Sequence, residues 1–205
     1  YVGREFKFLS ERWDLFAPGS TLSCSRAIDF IALQLSLSTF QWDAISAYLQ
    51  ITEDEEIYSD PPPEYLEELE AAGKSTDIMW RLLKQLNGRR RAGQLWVDFM
   101  CDCLEELGLE RCEAHPQFYH SPSQMIYVEV HMDDGHGAGP PENIAKFISD
   151  LEKLVYIMSV GAIPHGTPSS HLREQRVHSQ EKVVTTEHVQ KADNELDEVG
   201  RGWCN

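Results

Sequence analysis

Residues 125–134, MIYVEVHMDD, constrain the fold more than any other stretch, because a β-rich apolar run ends there on two adjacent carboxylates. Like charges at the end of a buried strand lose hydration and repel each other unless something positive neutralises them. An isolated Asp-Asp-Gly is ordinarily a solvated turn, so the doublet alone decides nothing. A second acid changes the argument. Asp43 closes another short β-prone segment, LSTFQWD, and a helix-compatible AISAYL follows it. Taken singly, Asp43 reads as a helix N-cap. Two strand-end acid sites, remote in sequence and joined by an antiparallel sheet, would instead form a cradle for paired divalent cations. Two such ions support an in-line phosphoryl transfer.

The elements around these acids follow from periodicity. Residues 25–37 place Ile28, Ile31, Ala32 and Leu35 at helical spacing, with Ser25 as the cap. EIYSDPPPEY is extended and leads into a short acidic helix from about Glu64, while 78–83 (IMWRLL) fits a strand or a helical turn equally. Trp96, Phe99, Met100, Cys103, Leu104 and Leu107 form one stripe of a helix over about 92–107 that Gly108 ends. GHGAGPP reads as a turn, and Pro140-Pro141-Glu142 opens a second amphipathic helix over 142–158, with Ile144, Phe147, Ile148, Leu151, Leu154, Val155 and Met158 on its stripe. Beyond Gly161 the pattern fades. The order is helix, strand, helix, helix, strand, helix. It implies an α+β layer: a small antiparallel sheet of three or four strands, backed by helices on one face. The expected division is a folded unit over 1–160 and a loosely ordered tail over 161–205.

Charge separates function classes less by its total than by its distribution. The 205 residues carry 34 acidic and 18 basic side chains, a net charge of −16, which argues against a protein that coats nucleic acid. Nine acids and no base lie between Glu53 and Glu70, however, and five bases and no acid lie between Met79 and Val97. One local phosphate site is compatible with that pattern. Five cysteines without a CxxC pair indicate free thiols in a reducing compartment. No run of 18 apolar residues is present, which excludes a transmembrane helix. The opening YVGREFKFLSERWD has no apolar run before a cleavage site and reads as the interior of a longer chain.

Five segments in order resemble the copia-type reverse transcriptases of retrotransposons. DAISAYL (43–49) resembles the first palm motif, D-V-x-x-A-Y/F-L. WRLLKQLNGRRRAGQLW (80–96) resembles W-R-L-x-K-A-L-Y-G-L-K-Q-A-P-R-x-W, and VEVHMDDGHGAG (128–139) resembles the strand-turn motif Y-V-D-D. GREFKFL (3–9) and LEELGLERCEAHPQFYH (104–120) also match the copia-type pattern. The resemblance implies a reverse-transcriptase palm with a remnant of fingers over 1–160. It implies RNA-directed DNA synthesis on an RNA or DNA template-primer from deoxynucleoside triphosphates. Asp43, Asp133 and Asp134 would be the catalytic triad holding two Mg²⁺ ions, with Mn²⁺ as a substitute. Tyr48 would be the steric gate under the sugar, Gly88 and Arg91 would approach the nucleotide, and Arg89 and Arg90 would contact nucleic acid. On residues alone, Tyr48 is equally a half-buried core aromatic and the three arginines a solvated basic turn, while Trp96 belongs to its helix's apolar stripe.

The resemblance further implies a fragment of a Pol polyprotein, with integrase and RNase H as companions, in a cytoplasmic particle or the nucleus. Tail residues 161–205 would begin the thumb or connection, and the isolated fragment would have little activity without the upstream segment that grips the triphosphate. The sequence departs from the pattern at His131-Met132, Asn87, Arg91, Gly93 and Gly135. Gly135 stands where a large apolar residue is usual, which predicts a loose hairpin under the carboxylates. Two other readings compete. His131, Asp133, Asp134 and His136 together suit a mixed N/O metal centre of a hydrolase. A catalytically inactive retroelement remnant would bind nothing well.

Overall fold

The computed structural model describes residue 17, residues 19–164 and 167, and the backbone of 168–171, 174–178 and 183–187. The GREFKFL segment lies outside the described residues. Helix α1 (Leu22–Gln34) leads into strand β1 (Ser38–Ala44), a short 3₁₀ turn (Ala47–Gln50), β2 (Tyr58–Ser59), α2 (Pro63–Ala71) and β3 (Trp80–Arg81). Then come α3 (Ala92–Glu106), β4 (Glu110–Arg111), β5 (Phe118–Ser121), β6 (Ile126–His131), β7 (Asp134–Gly139), α4 (Pro141–Leu151) and β8 (Ile157–Ile163). The sheet has six strands in the order β4-β5-β6-β7-β1-β8, against the three or four expected. The pairings along it are antiparallel. This is the α+β architecture that the sequence implied.

Alternation along the strands makes two faces. Phe40, Trp42, Val128 and Val130 point into the main core, where Trp96, Met100 and Leu104 of α3 and Ile144, Phe147 and Leu151 of α4 cover them. The stripe read for residues 92–107 is therefore the packing face of α3, and Gly108 follows it at φ +80°. The opposite face is not bare. Ile28 and Ala32 of α1 pack there with Leu37 and Ala138. Helix α1 begins earlier than expected, behind Thr21, and Ser25 is a buried residue within it rather than its cap.

Two expectations need correction. GHGAG is not a turn but β7, an interior strand between β6 and β1. Its glycines alternate, and they face the core side. A Cβ on Gly135 would lie 2.0 Å from Cε2 of Trp42, one on Gly137 2.4 Å from Cζ of Phe40, and one on Gly139 2.5 Å from Cδ1 of Ile126. Neighbouring strands thus fill the volume that β7 leaves, so the hairpin is packed rather than loose. The helix expected over 142–158 ends at Leu151, and residues 157–163 turn back as β8 along β1. Met158, assigned to the buried stripe, is exposed. In the tail, β9 (Pro168–His171), β10 (Glu174–His178) and β11 (Val183–Glu187) form an antiparallel sheet in the order β11-β10-β9.

Candidate active site

The register of β1 and β7 sets Asp43 directly opposite Asp134, and that of β6 and β7 sets His131 opposite Asp134 on the other side. Directly opposed residues share a face, with Cβ atoms about 4.5–5.5 Å apart. Only Met132 and Asp133 separate the paired His131 and Asp134, so the doublet straddles the end of a two-residue hairpin. Asp134 stands on the strand, on the face of Asp43, whereas Asp133 sits in the turn. The Ala44 N–H donates to the Asp133 carbonyl at 2.9 Å, so β1 also grips the turn. Asp43 and Asp133 are exposed and Asp134 is half-buried.

Asp133 lines a cavity of about 140 Å³ with Ala44, Ser46, Ala47, Tyr48, Asn87 and Trp96. That is a subsite in size, since whole-ligand sites run to roughly 300–1,000 Å³. Tyr48 reaches it from the 3₁₀ turn after Ser46, whose φ of +52° reverses the chain. Burial pushes the Tyr48 phenol above its ordinary value, and the Asp133 charge adds to the shift. The phenol therefore stays a neutral hydrogen-bonding group at physiological pH. Asn87 comes from the turn before α3, where Gly88 has φ +93°.

The arginine run is engaged with the acidic stretch. Arg89 is buried, its Nε 3.1 Å from Glu53 Oε2 and its Nη2 3.1 Å from Glu55 Oε2. Arg91 Nη1 lies 2.9 Å from Asp54 Oδ1 and 3.2 Å from Glu55 Oε1, and Arg90 is half-buried. The two charge blocks of the sequence thus meet in space. A phosphate contact by Arg89 would require leaving Glu53 buried and unpaired.

The four-residue hydrolase cluster does not assemble. His136 is buried under α1, with Nε2 3.5 Å from Asp29 Oδ1, Nδ1 3.8 Å from Glu129 Oε1 and Ser25 Oγ 3.3 Å from Nδ1. His131 Nδ1 donates to the Ser20 carbonyl at 3.1 Å, and Ser20 Oγ donates to Glu129 Oε2. His131 and Asp133 do not share a strand face, because His131 ends β6 and Asp133 belongs to the turn. Among the described residues, no three His, Cys, Asp or Glu side chains converge into a cation cage. What the fold supplies is an all-oxygen donor set at neighbouring backbone positions, which suits a hard divalent cation. Among the described residues no ion pair neutralises Asp43 or Asp133.

Sequence reasoning missed two contributors. Asn87 is a departure from the family pattern that nonetheless lines the cavity. Trp96, read only as core, also donates its indole N–H to the Met132 carbonyl at 2.7 Å. Neither signal lies in periodicity; the position of Asn87 beside a turn glycine was the available hint.

Comparison with known proteins bears on the same residues. Residues 4–156 match the family model described as "Reverse transcriptase (RNA-dependent DNA polymerase)". A Saccharomyces cerevisiae protein named "Putative transposon Ty5-1 protein" is 30% identical over 124 residues, which is 59% of this chain and 39% of that protein. The match thus spans about two-fifths of the length of that curated relative.

Proposed function

The chain belongs to the reverse transcriptase (RNA-dependent DNA polymerase) family, and on that premise we propose that Asp43, Asp133 and Asp134 form the catalytic centre of a copia-type retrotransposon polymerase. The family implies a nucleic-acid template and deoxynucleotide substrates. The observation that carries the reading is the register: two acid sites some ninety residues apart in sequence lie on adjacent strands, Asp43 facing Asp134 with Asp133 next in the turn.

Bound divalent metal, Mg²⁺ in this reading, would stabilise the charge of the attacking and leaving oxygens in nucleotidyl transfer. Asp43, Asp133 and Asp134 would supply its carboxylate oxygens. Tyr48 would present its ring and neutral phenol to the sugar and disfavour a 2′-hydroxyl, and Asn87 and Gly88 would border the same subsite. Arg89 and Arg91 would act through structure, holding the acidic 53–55 segment against the start of α3. The transposon relative supports a polyprotein context, and integrase and RNase H as its other parts belong to the proposal alone.

The test is primer extension on an RNA template with Mg²⁺, run on this chain and on the chain extended N-terminally by a basic, triphosphate-gripping segment. Extension is expected in the longer form, lost in Asp43→Asn and in Asp133→Asn. A longer form that neither extends a primer nor binds template-primer with salt-dependent affinity would overturn the reading.

A further inference from the structure

The two residues of the β6–β7 turn are held from opposite sides. Met132 has φ +58°, a left-handed conformation uncommon for an unbranched non-glycine residue, at the first central position of a two-residue hairpin. Such a conformation persists where surrounding contacts over-determine it. One contact is the Trp96 indole N–H, which donates to the Met132 carbonyl at 2.7 Å. The other is the Ala44 N–H, which donates to the Asp133 carbonyl at 2.9 Å. These carbonyls belong to the peptide units immediately before and after Asp133. With both planes fixed, the backbone dihedrals of Asp133 are fixed too, and only its side-chain torsions remain.

Trp96 is itself buried on all sides. It is 1% exposed in the core of α3, with its ring 5.7 Å from that of Phe99. A phenylalanine there would fill much of the same space but could not donate. The indole N–H is therefore not needed for packing; once buried it requires an acceptor, and the one it has is a carbonyl of the strained turn.

We infer that Trp96 is a positioning residue for Asp133: through the Met132 carbonyl it holds the turn so that the carboxylate is pre-set to bind a divalent cation. This rests on the reading of Asp133 as a metal-binding carboxylate. Groups that orient a metal ligand without touching the metal typically change its affinity on the order of 10-fold or more when removed.

The experiment measures Mn²⁺ binding to the chain by the electron paramagnetic resonance of free Mn²⁺, alongside thermal unfolding. Three variants are compared with the parent: Asp133→Asn, Trp96→Phe, and position 96 carrying 3-benzothienylalanine, an isostere with sulfur in place of the indole N–H. The benzothienyl variant keeps the shape of the core, so it answers for Trp96→Phe should that variant unfold. Both position-96 variants are expected to weaken Mn²⁺ binding on the order of 10-fold while the benzothienyl variant keeps the parent's melting temperature. If Asp133→Asn weakens binding and the benzothienyl variant binds as the parent does, Trp96 is a packing residue only and the inference falls. If the parent binds no Mn²⁺, or Asp133→Asn binds as well as the parent, the metal reading of Asp133 fails and takes this inference with it.

Discussion

The six-membered ring of Trp42 occupies the volume that a side chain on residue 135 would need, with Cε2 2.0 Å from the place of a Cβ on Gly135. The two residues face each other across β1 and β7, so the glycine is matched to the indole and not to a turn. Gly135→Ala should therefore cost about 2–3 kcal/mol, the upper range for an overpacked core. In a Trp42→Leu background the same change should cost about 1 kcal/mol or less. Urea unfolding of the four proteins measures the coupling, and additive effects would contradict this account of β7.

The ion pair of Arg89 with Glu53 joins the acidic stretch to the segment before α3, and both side chains are nearly fully buried, at 5% and 0% exposed. Arg89→Met strands a buried carboxylate and should destabilise the fold by about 3–5 kcal/mol. Replacing Glu53 by Met as well should recover much of that loss, because the pair and not the charge is what the site tolerates. Chemical denaturation distinguishes the outcomes. A surface-like loss below about 1 kcal/mol for Arg89→Met would show the pair to be unimportant.

Under the proposed function, Tyr48 selects against the 2′-hydroxyl. Tyr48→Val should then raise ribonucleotide use relative to deoxynucleotide use by roughly 10-fold or more, the scale of steric discrimination in a pocket. Single-nucleotide extension by the N-terminally extended form, with matched ribo- and deoxynucleotides, reads the ratio. An unchanged ratio would assign Tyr48 to packing alone.

Burial pushes the Cys103 thiol up to about 11, with the charges of Glu106 and Asp102 adding to the shift. At pH 8 only about one Cys103 in a thousand would be thiolate. Among the described cysteines, iodoacetamide should accordingly spare Cys103 in the folded protein and modify the half-buried Cys112 first. The sign for stability follows from protonation: a raised folded value favours the native state below the ordinary thiol value of 9.0, and that contribution is lost as pH rises towards 11. The urea midpoint should fall across that window, less steeply in Cys103→Ala. Peptide mapping after alkylation and the pH series check the two halves.

Much of the frame was legible because helical periodicity is a local property. The stripe from Trp96 to Leu104 identifies α3, and the alternation from Ile126 to His131 identifies β6. β7 was illegible because its side-chain-free core face carries no periodic signal; the bulk that fills it belongs to Phe40 and Trp42 on another strand. The helix ending at Leu151 looked longer because Leu154 and Val155 continue its apolar spacing while the chain already turns towards β8. At the site, the acids that close both β runs were readable as a pair. Their division between turn and strand was not, since it depends on the length of the hairpin. The charge blocks hinted at the pairing of Arg89 and Arg91 with residues 53–55, but only the fold reveals which partners meet.

The hairpin of Met132 and Asp133 also sets a rule of parity for this chain. A one-residue slip of β7 along β1 would exchange its faces, sending His136 towards the aromatic rings of the core and the glycines towards α1. A two-residue slip would preserve which side is which but would slide Asp134 off Asp43. Odd slips are thus closed by packing and even slips by alignment, so any change of length at this corner has to bulge outward and leave the register untouched.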